Sequence, residues 1–279
     1  MPLPFTKPLA DTKSLAFTKA SACGNDFVII DMTNTLAAAA ADMPMLTRRI
    51  CDRHDGVGAD GVEWLSASKN NDADAAIRLI NADGSDAEIS GNGTRCVAAY
   101  LAANGSGGSL RISTGAGIKH CELISRSGNS FEFEMDMGRP QVAPPFALKL
   151  SAGEVTGTPV SMGNPHYVIF VDQFPASWQI LGADIQRQPV FTEGVNVEFV
   201  RVISQTEIEV RFFERGAGET KSSGTGSCAS AVAAISAGRA QSPLTVHAEG
   251  GAQTVRWPRD NNVFLRGPAQ LVCKGEFFV

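Results

Sequence analysis

Part of this 279-residue chain is written twice. Gly24-Asn25-Asp26-Phe27-Val28-Ile29-Ile30-Asp31 is echoed by Gly163-Asn164-Pro165-His166-Tyr167-Val168-Ile169-Phe170-Val171-Asp172. Arg78-Leu79-Ile80-Asn81 precedes Ser90-Gly91-Asn92-Gly93, and Arg211-Phe212-Phe213-Glu214 precedes Ser223-Gly224-Thr225-Gly226, with twelve residues from arginine to serine both times. Each SGxG opens an alanine-rich stretch carrying Cys96 or Cys228. Matching landmarks in one order imply two similar halves whose equivalent loops face each other across a cleft. The Pro-, Gly- and Ala-rich residues 138–159 read as the linker between them.

Within that frame, β-branched and aromatic runs predict strands over 27–30, 76–80, 131–135, 167–171, 195–202 and 208–213. Helices are expected over 45–53, opened by Pro44 at N1, then over 94–103 and 227–237.

A glycine-rich turn entering a helix presents unpaired backbone N–H groups and the positive end of the helix dipole, a ready anion site. Two of them converging on one point hold a carboxylate from both sides and stabilise negative charge that develops beside it. Ser90 and Ser223, each just before a helix, would flank the bound molecule. Opposed groups around one carbon suit removing a proton from one face and returning it on the other. A single serine in such a place is more often a helix N-cap; the duplication favours function. Asn25, Asn81, Asn164 and Asn196 lie in or beside glycine-rich turns, where any one of them would simply be a turn former. Together with Glu214 and Arg215 they suit a zwitterionic amino acid with a second polar end. Arg215 is fit for a bidentate carboxylate contact, a structural ion pair being the competing use. His166 has no HxxxH or cysteine companion and is expected to support rather than to bind metal.

Composition removes other classes. The net charge is −5 and the basic residues are scattered, which excludes nucleic acid as main partner. No apolar run approaches the roughly 18 residues of a membrane span, and the proline-bearing residues 1–14 hold no leader-like apolar core. Six widely spaced cysteines without a CxxC pair read as reduced thiols. A cytoplasmic protein is therefore expected, with dimerisation left open.

At these residues the sequence resembles the diaminopimelate epimerase family, from Phe17 to Val272. The resemblance is carried by GNDFVIID (24–31), CDRHDGVGADG (51–61), NADGSDAE and SGNGTRC (81–96), SMGNPH (161–166), NVEF (196–199) and ERGAGETKSSGTGSC (214–228). It implies an α/β (α+β) fold of two pseudo-symmetric halves, each a curved mixed β-sheet around a central helix, with the active site in the cleft. The halves would be 1–140 with a returning C-terminal strand near 268–279, and 141–267. It implies cofactor-independent interconversion of LL- and meso-diaminopimelate, on the route to lysine and peptidoglycan. Backbone amides of Gly91-Asn92 and Gly224-Thr225 would bind the reacting α-carboxylate. Asn25, Asn81, Asn164, Asn196 and Arg215 would hold the rest of the substrate, with Glu214 and His166 assisting near the reacting end.

The sequence departs from that family at the centre of the chemistry. Where the family carries a cysteine before each GxG, Ser90 and Ser223 stand here. A thiol titrates near 8.5, and lower at a helix N-terminus, whereas a hydroxyl is a far weaker acid. No adjacent base of the Ser–His kind is evident along the chain. Ser21-Ala22-Cys23 also replaces the family's glycine-containing approach to Asn25. Three readings follow: an epimerase impaired by exchange of both cysteines, natural or introduced; a relative with dehydratase or isomerase chemistry that needs one competent base; or a non-catalytic amino-acid-binding protein.

Overall fold

The structure, a computed structural model, describes residues 14–34, 42–68, 72–151, 153–258 and 261–279. The N-terminal stretch read as lacking a leader falls, through residue 13, outside the described residues. Eighteen strands and four α-helices occur among those described: α1 (Met43–Cys51), α2 (Gly91–Ala103), α3 (Trp178–Gln186) and α4 (Gly224–Ser236).

The duplication in sequence is a duplication in topology. Strand Asn25–Asp31 is antiparallel to Ser14–Ala22 and parallel to Gly61–Ser66, which it reaches through α1. Gly61–Ser66 turns back into Ala75–Asn81, the chain passes through α2, and Ser109–Thr114 returns parallel to Ala75–Asn81 before the meander Gly117–Ser127, Ser130–Gly138. The same path recurs: Pro165–Phe170 is antiparallel to Gly153–Ser161 and, through α3, parallel to Asn196–Ser204. Glu207–Glu214, α4 and a parallel return by Leu244–Ala248 follow, then Gly251–Arg256 and Val263–Phe278. Phe27 stands opposite Gly61 as His166 stands opposite Asn196, so Glu63 and Glu198 occupy the same place in the two repeats.

The sixteen-residue strand Val263–Phe278 ties the repeats together. Its start pairs with Gly251–Arg256, its middle with Ser130–Gly138, and its end with Ser14–Ala22.

Helices α2 and α4 lie inside the curved sheets, which explains their alanine content. A helix covered on all sides must be apolar all round, and small side chains let strands approach closely. Cys96–Ala99 and Cys228–Ala229 are wholly buried, in one continuous core with Phe133, Met135, Phe212 and Leu265. Smaller clusters fill the space under α1 (Leu46, Ile50, Trp64) and under α3 (Tyr167, Trp178, Phe199).

Three expectations change. Helices α2 and α4 begin three residues earlier than read, because Ser90 and Ser223 cap them and the glycines form their first turns. Helix α1 spans 43–51 rather than 45–53, starting after its N-cap Asp42, whose side chain accepts from the Met45 N–H. Residues 138–159 are not a bare linker: Gln141–Val142, Phe146–Leu150 and Gly153–Ser161 are strands, held by Phe146 against Tyr167 and Phe191 and by buried Leu148.

Candidate active site

The two glycine-rich turns meet. A Cβ on Gly91 would lie 3.9 Å from the Gly224 Cα, and one on Gly224 would lie 3.7 Å from the Gly91 Cα. The N-termini of α2 and α4 therefore meet, which brings two positive dipole ends, each worth about half a charge, to one place. Ser90 Oγ accepts from the Gly93 N–H and Ser223 Oγ from the Gly226 N–H, both at 3.1 Å. The amides of the residues between, Gly91-Asn92 and Gly224-Thr225, are left without intrahelical acceptors.

The hydroxyls differ in their second bond. Ser223 Oγ donates to Glu214 Oε2 at 2.9 Å, and the other Glu214 oxygen accepts from Thr220 Oγ1 at 2.5 Å. The short pairing of Glu207–Glu214 with Gly218–Thr220 brings this carboxylate to the serine. The expectation of no adjacent base is thereby corrected: Ser223 has a carboxylate where a triad would place histidine. At Ser90 no such bond exists among the described residues. The matching position, Asn81, ends its strand with its amide bonded to Ser85 Oγ at 3.1 Å.

On the Ser223 side a buried chain of polar groups stiffens the wall. His166 Nδ1 lies 2.6 Å from Glu198 Oε1, both side chains fully buried, and Nε2 lies 3.0 Å from Asn164 Oδ1. Asn164 Nδ2 in turn donates to Thr225 Oγ1 at 3.3 Å, on the first turn of α4. Burial pushes the Glu198 carboxyl up, and His166 beside it partly offsets this. Asn196, 5% exposed, donates to Pro165 O and accepts from the Arg215 N–H. Arg215 itself is exposed, its guanidinium donating to Glu193 O at 2.7 Å.

The repeats are joined by an amide hub. Asn92 Nδ2 donates to Asn25 Oδ1 at 2.7 Å and to Ser222 Oγ at 3.2 Å, while Asn25 Nδ2 donates to Asp60. Asn92 Oδ1 accepts from the guanidinium of Arg95, a wholly buried cation that also reaches Pro268 O and Cys23 Sγ. With the Gln253 amide oriented to satisfy its neighbours, its oxygen accepts from Arg95 and its nitrogen donates to Ser227 Oγ.

Sequence reasoning missed Glu63, Arg95, Glu198 and Gln253. Glu63 is fully buried with no hydrogen-bond partner for either oxygen among the described residues, and burial pushes its carboxyl up to about 8. A repeated valine–glutamate step, Val62-Glu63 and Val197-Glu198, was the available signal. None of the six cysteines is disulfide-bonded. Burial raises the Cys96 and Cys228 thiols, so neither replaces a missing cleft thiolate. Among the described residues, no three His, Cys, Asp or Glu gather as a metal site, and no helix is long and apolar enough to cross a membrane.

The family model described as diaminopimelate epimerase matches residues 17–143 and 158–272. The chain is 40% identical over 277 residues to a diaminopimelate epimerase of Pelotomaculum thermopropionicum, covering 94% of this chain and 98% of that one. It is 39% identical over 277 residues to a diaminopimelate epimerase of Desulfitobacterium hafniense, covering 94% and 97%. Among solved structures, the Bacillus anthracis phenazine biosynthesis protein of the PhzF family superposes with a TM-score of 0.71 at 16% identity, over 96% of this chain and all of that one. That likeness is one of fold.

Proposed function

The chain belongs to the diaminopimelate epimerase family, and from that premise we propose that it inverts the α-carbon of diaminopimelate by two-base proton transfer, without a cofactor. One observation carries the reading: two helix N-termini brought together, each capped by a serine hydroxyl. The α-carboxylate sits between the free amides of Gly91-Asn92 and Gly224-Thr225. As the α-proton leaves, negative charge spreads into that carboxylate, and the two dipole ends stabilise it more than the ground state. Ser223 Oγ takes the α-proton while its own proton passes to Glu214 Oε2. Ser90 delivers a proton to the opposite face. Asn25, Asn81, Asn164, Asn196 and Arg215 hold the substrate, and His166 keeps Asn164 in place rather than touching the reacting carbon.

A hydroxyl transfers protons from an unactivated α-carbon far less readily than a thiol, so turnover is slow beside a cysteine pair. A second reading draws on the asymmetry: of the two capping serines, Ser223 alone has a hydrogen-bonded carboxylate among the described residues, and one base suffices for elimination or a proton shift within an amino acid.

The test is incubation with LL-diaminopimelate in deuterium oxide, following α-proton exchange and formation of the meso isomer. Exchange with inversion, accelerated in the Ser90→Cys plus Ser223→Cys protein, is expected. A restored protein that binds substrate without exchanging defeats the epimerase reading. Loss of water from a hydroxylated amino acid by the unaltered chain supports the second.

A further inference from the structure

We propose that Glu63 is the proton-holding partner of Ser90, serving that hydroxyl in the first repeat as Glu214 serves Ser223 in the second. The inference rests on the two-base reading above and extends it to a residue outside the cleft.

The repeat supplies the argument. Glu63 and Glu198 are equivalent by strand register, each beneath the first turn of its helix. In the second repeat Glu198 is engaged by His166; in the first, Phe27 stands where His166 does, so Glu63 has no such partner. On the cleft side the exchange runs the other way. Glu214 binds Ser223, while its counterpart Asn81 is turned to Ser85. Ser223 thus has its carboxylate from strand Glu207–Glu214, and the carboxyl group nearest the first turn of α2 comes instead from strand Gly61–Ser66.

Gly93 makes the approach possible. A Cβ there would overlap Glu63 Oε1 and would stand 3.2 Å from Ser90 Cβ, so the two side chains flank the space that a Gly93 side chain would fill. Rotation about the Ser90 Cα–Cβ bond swings the hydroxyl from the Gly93 N–H toward Glu63. An unpaired carboxyl inside a core is destabilising where an apolar side chain would not be, and such a feature is expected at a functional place. Held neutral by its burial at neutral pH, Glu63 is a proton donor.

The protons balance. The Ser90 O–H breaks as its proton forms the new C–H bond with the carbanion electron pair, and the Glu63 O–H proton moves to Ser90 Oγ, leaving a carboxylate. On the other face Glu214 gains the proton that Ser223 removed. One inversion therefore carries a proton from Glu63 to Glu214, and the reverse inversion carries it back.

Wild type, Glu63→Gln and Glu63→Asp are compared on LL- and meso-diaminopimelate in deuterium oxide, scoring α-proton exchange and inversion separately, with circular dichroism to show that each folds. Glu63→Gln is expected to exchange the isomer whose α-proton faces Ser223 while inverting it about a hundredfold more slowly. Glu63→Asp is expected to recover inversion to about tenfold above the glutamine variant. Inversion by Glu63→Gln at the wild-type rate overturns the proposal and leaves the epimerase reading standing. Equal loss of exchange and inversion also overturns it, marking a purely structural role. A wild type that neither exchanges nor inverts defeats both.

Discussion

Ser223 Oγ donates a hydrogen bond of 2.9 Å to Glu214 Oε2, a hydroxyl at a helix N-terminus set against a carboxylate nine residues earlier in the chain. This relationship turns a weak acid into a group able to relay a proton, because the carboxylate accepts what the hydroxyl must lose. Thr220 holds the second Glu214 oxygen, so the carboxylate has little freedom to leave the serine.

Ser223→Ala and Glu214→Gln should each lower kcat for α-proton exchange by about 10² to 10⁴ with KM changed little, since neither removes the amides proposed to hold the carboxylate. Two residues acting as one relay are not additive, so the double variant should be little worse than either single one. Steady-state exchange rates on the three variants check this. Effects that multiply would show that Glu214 and Ser223 act separately.

Ser90→Cys with Ser223→Cys should raise the inversion rate by on the order of 10² or more, because a thiol at a helix N-terminus titrates within reach of neutral pH. The gain should grow as pH rises from 6 toward the thiol range near 8.5 and then fade, one thiolate and one thiol being needed. A pH–rate profile of the double variant against the unaltered chain tests it. A flat profile would place proton transfer elsewhere.

Much of this molecule was legible in its residues, and what escaped has physical causes. The duplicated Gly-Asn and SGxG landmarks gave the two repeats and the facing loops, since turns of that kind demand particular residues. The starts of α2 and α4 fall three residues ahead of the sequence expectation because glycine is a poor helix former, while the caps Ser90 and Ser223 override that preference. Helix α3 escaped notice: it is short, its N-cap Ser177 makes no side-chain bond, and Gly182 sits inside it to clear the Phe213 ring. Glu214 could not be assigned to Ser223 because their meeting depends on a strand pairing. Glu63 lies in a strand, Gly61–Ser66, where alternation would allow a charge on a solvent face; both faces are in fact covered.

The Asn92 hub separates stability from binding. Asn92→Ala leaves Asn25 Oδ1 and the buried Arg95 short of a partner, which should destabilise the fold by about 2 to 3 kcal/mol in chemical denaturation. Asn92→Asp keeps an acceptor for Arg95 but places a negative charge at the N-terminus of α2, where the substrate carboxylate is to bind. It loses the donor to Asn25 and Ser222 but gives Arg95 a charged partner, so it should be destabilised less than Asn92→Ala while KM rises about tenfold or more. Unchanged KM in Asn92→Asp would move the anion site away from these amides.

Glu63 should also imprint itself on stability against pH. Its ordinary value is 4.5, and burial raises it to about 8 in the folded chain. Between those values the folded state holds a proton that the unfolded state has released, so stability falls as pH rises. The contribution is fully present below 4.5 and is lost as pH passes through about 8, an effect on the order of 5 kcal/mol in all. Glu63→Gln has no proton to lose there and should show a smaller decline between pH 5 and pH 8 in urea denaturation. The difference between the two proteins isolates this carboxyl, because Glu198, whose value is also raised by burial, is present in both. Parallel curves for wild type and Glu63→Gln would mean that the carboxyl is ionised in the fold, and Ser90 would then lack its donor.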